Sequence, residues 1–284
     1  MGISIFAQPA HTNTNPSQPH TGGPVRCGHL QRVSSMIRGE QIAERLGAKL
    51  NPSDGYWNDV CVYVKPHIKP GSDFYFEGHP YLDIIDAWSL TPHAQARPDV
   101  GVIACSNQDG ATLRGMLPNP ITVIPQHHAN FENTPRTRVG VGVVGVIGTN
   151  PAFVYLPHGL EQALHERGMQ LIKFSRFFSR ADIINFYQSI DVQIVWRPYR
   201  MRLSNPLKLV NGASFGVPSI VYRESVFTEL DGCYIPVTDL AGFLSVLDRL
   251  RASPAMQADY SARCLAAAEA YHIDRVCQMY RRLN

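Results

Sequence analysis

The sequence predicts an α/β protein made of two Rossmann-like domains in tandem, each with a parallel sheet, and with a cleft between them. Three observations carry this. Short β-rich runs alternate with amphipathic helical runs along the chain. The 284 residues are about twice an ordinary domain. A polar, basic, turn-rich interval at 126–138, QHHANFENTPRTR, separates the two halves and reads as a linker. The expected boundaries are residues 1–128 and 136–267, with a terminal helix at 268–284 packing back on the first domain.

In the first half, strands are expected at 3–7, 60–64, 81–86, 100–104 and 121–124. The segment LQRVSSMIRGEQIAERLGA reads as a helix with Val33, Met36, Ile37, Ile42 and Leu46 on one face. PHIKPGSDFYFEGHP is a loop by its proline and glycine content. In the second half, the strands RVGVGVVGVIG, QLIKF, VQIVW, PSIVY and CYIPV alternate with the helices HGLEQALHERG, RADIINFYQSI, LKLVNGASFG, SVFTEL and DLAGFLSVLDRLRA. One or two long helices end the chain.

Composition narrows the class. With 44% hydrophobic and 17% charged residues, the chain reads as an ordinary soluble protein. No apolar run approaches the roughly 20 residues of a membrane span, and the N-terminus lacks the basic and apolar regions of a signal peptide. Six scattered cysteines form no C-x-x-C pair, which predicts a reduced, cytoplasmic protein without structural zinc. The net charge is +3, yet 21 of the 26 basic residues are arginine. Arginine suits bidentate phosphate contacts, and a GC-rich genome gives the same bias.

Gly140, Gly142 and Gly145 form a literal G-x-G-x-x-G, the fingerprint of a dinucleotide site. That site needs its glycines in the turn after a strand, directly before a helix. Here they alternate with valines, the turn comes at 148–150, and no helix is expected until about Pro157. They read as a glycine-rich first strand. Gly148, in the turn, is the glycine able to let a backbone approach a ligand.

The segment from Trp196 to Leu230 carries more chemistry. A strand ends in a loop with Arg197, Arg200 and Arg202. Then come Pro206 at a helix start, Lys208 in its first turn, Gly216 to stop it and Pro218 before the next strand. A helix N-terminus with nearby cations suits a diphosphate. Pro206, Lys208, Asn211, Ala213, Gly216, Pro218 and Ile220 resemble the donor-binding signature of GT-B nucleotide-sugar glycosyltransferases. The following YRESVFTEL is similar to the E-x-x-[YF]-x-E-L of some members. The resemblance spans about 35 residues.

The resemblance implies a GT-B fold. It also implies a transferase moving a hexosyl or pentosyl group from a UDP- or GDP-linked sugar to an acceptor hydroxyl. Residues 136–267 would then bind the donor and 1–128 the acceptor. Lys208 would contact the donor phosphates, with Asn211 and Glu224 near the ribose or sugar. HTGGPVRCGHL is similar to the family's first glycine-rich loop. Gly22 and Gly23 would face the diphosphate, and Arg26 or His29 the cleft. Many retaining members carry two glutamates eight positions apart. Leu203 and Asn211 stand there instead, so a retaining mechanism does not carry over. His127–Phe131 lies where the family often has substrate contacts.

A base for the acceptor hydroxyl is sought in Asp86, His20 and His29. Each has a structural alternative: Asp86 as a helix cap, His29 as a buried histidine, and His127–His128 as a solvated linker pair. The arginines are either a phosphate clamp or a solvated loop, Asn211 a helix-packing amide, and Glu224 a surface cap. No D-x-D motif is present, so metal and cofactor are not expected. The expected acceptor is a saccharide, a lipid-linked glycan, a small molecule or a hydroxymethylated base in DNA. The last would be flipped out with help from the aromatic loop SDFYFEGHPY, whose aromatics otherwise pack the loop onto the domain. Other classes are an NAD-dependent oxidoreductase and a non-catalytic nucleotide- or DNA-binding module.

Overall fold

In a computed structural model of the chain, residues 1–7, 33–68, 75–175, 179–198, 201–222 and 227–283 are described. They fall into two compact units. Unit 1 comprises 1–126, 202–205 and 273–284, and unit 2 comprises 127–201 and 206–272.

Unit 1 is built on β1 (Ile3–Ala7), β2 (Lys49–Leu50), β3 (Val60–Val64), β4 (His79–Ile85), β5 (Gly101–Ala104) and β6 (Ile121–Val123). All are parallel, in the order β2-β1-β3-β4-β5-β6. Its helices include α1 (Gln41–Leu46), α2 (Thr91–Gln95), α3 (Asn107–Arg114) and the C-terminal α10 (Ile273–Tyr280). The β3 run VCVYV is buried at every position, as a central strand covered on both faces must be. β2 is an addition to the expected strands.

The helix before β2 departs from the expected face. Residues Ser35–Glu40 are π-helical and lead into α1. The wider turn rotates the buried stripe, so Ser35, Arg38, Gly39, Ile42 and Ala43 face inward while Val33, Met36 and Ile37 are half-buried. Arg38 is therefore wholly buried. Its Nε donates to Asp83 Oδ2 at 2.6 Å and its Nη1 to the carbonyls of Ile124 and Pro125 at 2.8 Å. Burial opposes the guanidinium charge, but Asp83, Tyr280 and Cys105 together outweigh it and leave the Arg38 pKa above its ordinary value. The buried Tyr280 of α10 lies against the guanidinium, 5.4 Å from ring centre to Cζ.

Unit 2 holds β7 (Val143–Ile147), β8 (Gln170–Phe174), β9 (Val192–Val195), β10 (Ser219–Tyr222) and β11 (Tyr234–Val237), again all parallel. Between them run α4 (Asn150–Val154), α5 (Leu160–Glu166), α6 (Arg180–Ser189), α7 (Leu207–Ser214) and α8 (Leu240–Ala252), followed by α9 (Pro254–Ala268). The order β11-β10-β9-β7-β8 is a doubly wound sheet whose strand order reverses between β7 and β9. SVFTEL is expected to be a helix; its described end is a single 3₁₀ turn at Thr228–Leu230.

The glycine-rich strand is shorter than expected. It begins at Val143 because the lead-in is tied to a side chain: the N–H groups of Gly142 and Val143 both donate to Asp191 Oδ2 at 2.8 Å, and Arg136 pairs with Asp191 Oδ1 at 2.6 Å. Gly140, with φ of 89°, lies before the strand. Gly145 lies inside it, where an added Cβ would stand 2.5 Å from Ile190 Cγ2 and 2.8 Å from Phe186 Cζ. This glycine admits close helix–sheet packing and is not in the turn after the strand, as a dinucleotide fingerprint requires. A helix does open sooner than expected, at Asn150. Pro151, beyond the Gly148 turn, is the local signal for it. Gly145→Ala is expected to cost about 1–3 kcal/mol by overpacking, read as a lower urea midpoint.

Among the described residues no helix is long and apolar enough to cross a membrane. The cysteines at 61, 105, 233, 264 and 277 are free and buried; Cys27 lies outside the described residues.

Candidate functional site

In a doubly wound sheet the loops at the C-terminal ends of the strands diverge where the strand order reverses, and this opens a crevice for ligands. In unit 2 that point lies between β7 and β9. Gly148 follows β7, Trp196 and Arg197 follow β9, and α7 is the next helix after β9.

Local chemistry shapes α7. Pro206 stands at its N-cap, with no side chain capping the first turn. Gly216, with φ of 68°, ends it, its N–H bonded to Ala213 O at 2.9 Å. Leu209, Val210 and Ala213 are buried against the sheet. Gly212 lets the helix approach Gln193 and Ser219. The buried Tyr187 of α6 donates its hydroxyl to Lys208 O at 3.2 Å.

Lys208 is half-buried, and its ammonium lies at Gly148: a Cβ on that glycine would stand 3.0 Å from Lys208 Nζ and 2.5 Å from Ala152 Cβ. With φ of 155°, Gly148 has a backbone that a side chain would both strain and crowd. Burial, then the positive charge of Arg197, pushes the Lys208 pKa down to about 8. Among the described residues no carboxylate pairs with it. A cation that is partly desolvated, beside another cation and a glycine turn, gains most from an anion. Gly148, Lys208 and Arg197, dispersed over 60 positions, thus share one end of one sheet.

Other candidates stand elsewhere. Asn211 is buried, and its Oδ1 accepts the Ala129 N–H at 2.8 Å. Arg202 belongs to unit 1, where its guanidinium lies 4.8 Å from the Trp88 ring centre. Asp86, after β4, pairs with Lys65, after β3. Lys65 and Ile85 both have positive φ, 39° and 56°. For a β-branched residue that is a rare backbone state, of the kind concentrated at functional edges. His20, Gly22, Gly23, Arg26, His29, Arg200 and Glu224 lie outside the described residues.

His127 and His128 are not a solvated pair. Both are 1% exposed. The His128 N–H donates to Tyr271 O at 3.2 Å, and its ring lies 5.5 Å from that of His272. Burial, then the nearby His272 and His127, holds the His128 pKa down to about 3. As pH falls through about 6.5 the unfolded chain takes up a proton there that the folded chain refuses, so stability falls between about pH 6.5 and 3. His128→Asn should remove about 2–3 kcal/mol of the loss between pH 7 and 4.5, measured as urea midpoints at the two pH values.

Sequence reasoning missed Lys65, Tyr187 and Asp109. For Asp109 a signal existed: Ser106 caps α3 and Asp109 stands three residues on, the spacing of a capping box.

No known protein family matches the chain, and no curated protein does. Solved structures do. HepE from Anabaena in complex with UDP is similar over 99% of this chain and 98% of its own, with a TM-score of 0.56 and 11% identity. HepE with UDP and glucose is similar over 85% of this chain and 79% of its own, with a TM-score of 0.50 and 12% identity. The pneumococcal O-GlcNAc transferase GtfA, in complex with UDP and GlcNAc, is similar over 80% of this chain, with a TM-score of 0.54 and 12% identity. The chain spans 56% of the length of GtfA. Two parallel, doubly wound sheets and these likenesses identify the fold as GT-B.

Proposed function

We propose that the chain is a glycosyltransferase that takes a sugar from a nucleotide-sugar donor, with unit 2 binding the donor diphosphate at Lys208. The observation that carries this reading is the half-buried Lys208 ammonium, with no carboxylate partner among the described residues, against the Gly148 turn at the strand-order reversal. Departure of a diphosphate concentrates negative charge on phosphate oxygens, and a preorganised cation stabilises that charge. Arg197 raises the local potential. The fold likeness to HepE and GtfA, both solved with UDP, supports UDP as the nucleotide.

On the acceptor side the reading keeps Asp86. Its pairing with Lys65 fixes the carboxylate, as a group receiving a hydroxyl proton requires. His20, Gly22, Gly23, Arg26 and His29 are further contacts of the same reading, as is Glu224 in unit 2. A saccharide hydroxyl is the acceptor this reading favours. Neither DNA modification nor NAD chemistry gains support, the latter because the glycine triplet is not in the turn after β7.

The test is a calorimetric titration of the protein with UDP, GDP and NADH, followed by an assay for UDP-sugar turnover. UDP binding with release of UDP from a UDP-sugar is expected. Binding of NADH with no binding of either nucleoside diphosphate would overturn the proposal.

A further inference from the structure

Four residues between β9 and α7 leave unit 2. Arg202–Asn205 belong to unit 1, and the chain re-enters unit 2 at Pro206, the N-cap of α7. Three of the four are held firmly. Arg202 lies on Trp88. Leu203 is 1% exposed, inside the unit 1 core with Leu90, Leu113 and Leu117. The Ser204 N–H donates to both carboxylate oxygens of Asp109 at 3.1 Å each, and Ser204 O accepts from Ser106 Oγ at 3.4 Å. Asp109 is 3% exposed in the first turn of α3, where the helix N-terminus favours a carboxylate. A buried carboxylate is retained at a desolvation cost unless it accepts strong hydrogen bonds. Here it accepts from the backbone of the segment that leads into α7.

Only Asn205, Pro206 and Leu207 separate that clamped N–H from Lys208. The body of α7 is pinned by its own buried residues, and its first turn continues directly from the held segment. We infer that Asp109 is a positioning residue for the donor diphosphate, acting through the Ser204 backbone on the first turn of α7 and Lys208. The inference rests on the donor reading given above. Leu203 is an anchor in the unit 1 core. Preorganising a binding group raises affinity by removing the ordering cost from the binding step. Linkage then requires the reverse effect, with UDP tightening the hold on Ser204 by the same factor.

UDP affinity by calorimetry and hydrogen exchange of the Ser204 amide test this together. In the wild type, UDP should slow exchange at Ser204. Asp109→Asn should weaken UDP binding about tenfold, the size expected for losing one charge-assisted hydrogen bond, and speed exchange at Ser204. In combination with Lys208→Ala the losses should be less than additive, because both act through one ammonium. Ser204→Pro removes the N–H and leaves Asp109 in α3, so it makes the same test should Asp109→Asn not fold. UDP binding that Lys208→Ala weakens, with the Asp109 and Ser204 variants binding as wild type or adding their losses in full, overturns the positioning role alone. No UDP binding to the wild type overturns the donor reading and this inference with it.

Discussion

Lys208→Ala is expected to weaken UDP binding about 10- to 100-fold, the range for losing a hydrogen bond between charged groups, without lowering the melting temperature. Ordinarily the loss of a half-buried side chain costs stability. Here the ammonium is held against burial and the charge of Arg197, as its pKa of about 8 records, so removing it relieves that cost. The same value sets a pH dependence. Lys208 is charged below about 8 and loses its proton above it, so UDP affinity should fall as pH rises from 7 to 9.5. The bound diphosphate favours the ammonium, so binding near pH 9 should take up a proton. Calorimetry in two buffers of different ionisation enthalpy measures that uptake. Unchanged affinity in the alanine variant would remove Lys208 from the site.

The largest stability effect is expected at Arg38 and Asp83, whose side chains are both wholly buried. Arg38→Ala leaves the Asp83 carboxylate in the core without its cation, and also frees the carbonyls of Ile124 and Pro125. Loss of one partner of a buried pair costs about 3–5 kcal/mol. Arg38→Met with Asp83→Leu should recover most of that loss, because no charge is then left unpaired. Urea unfolding of the three variants decides it. A single variant within about 0.5 kcal/mol of wild type, the scale of a surface substitution, would show that the pair is not what holds this region. α10 should loosen in the single variant, since Tyr280 packs on the guanidinium.

Much of the fold was legible in the sequence. The strands expected at 3–7, 60–64 and 170–174 stand at those residues, because β-branched and aromatic runs bounded by glycine and proline are local signals. The first helix was misread for an equally local reason: one π-turn changes the period on which a helical stripe is counted. A charged residue at position 38 gives no sign of burial until Asp83 and two carbonyls meet it. The histidine pair was read as solvated on the polarity of its neighbours, yet Tyr271 and His272, far along the chain, enclose it.

The candidate site divides the same way. Pro206, Lys208, Gly216 and Pro218 declare a short helix with a cation in its first turn, and Gly148 declares a turn where a backbone can approach a ligand. Those statements depend on neighbouring residues alone, so the sequence by itself determined them. Tertiary structure decided that Gly148 and Lys208 meet, that Arg197 stands close enough to depress the lysine, and that Leu203 and Ser204 are held by the core and a carboxylate of unit 1. Each is a matter of burial and charge between residues far apart in the chain. The free energy of a buried or paired charge is set by the groups around it, and only the folded chain brings those groups together.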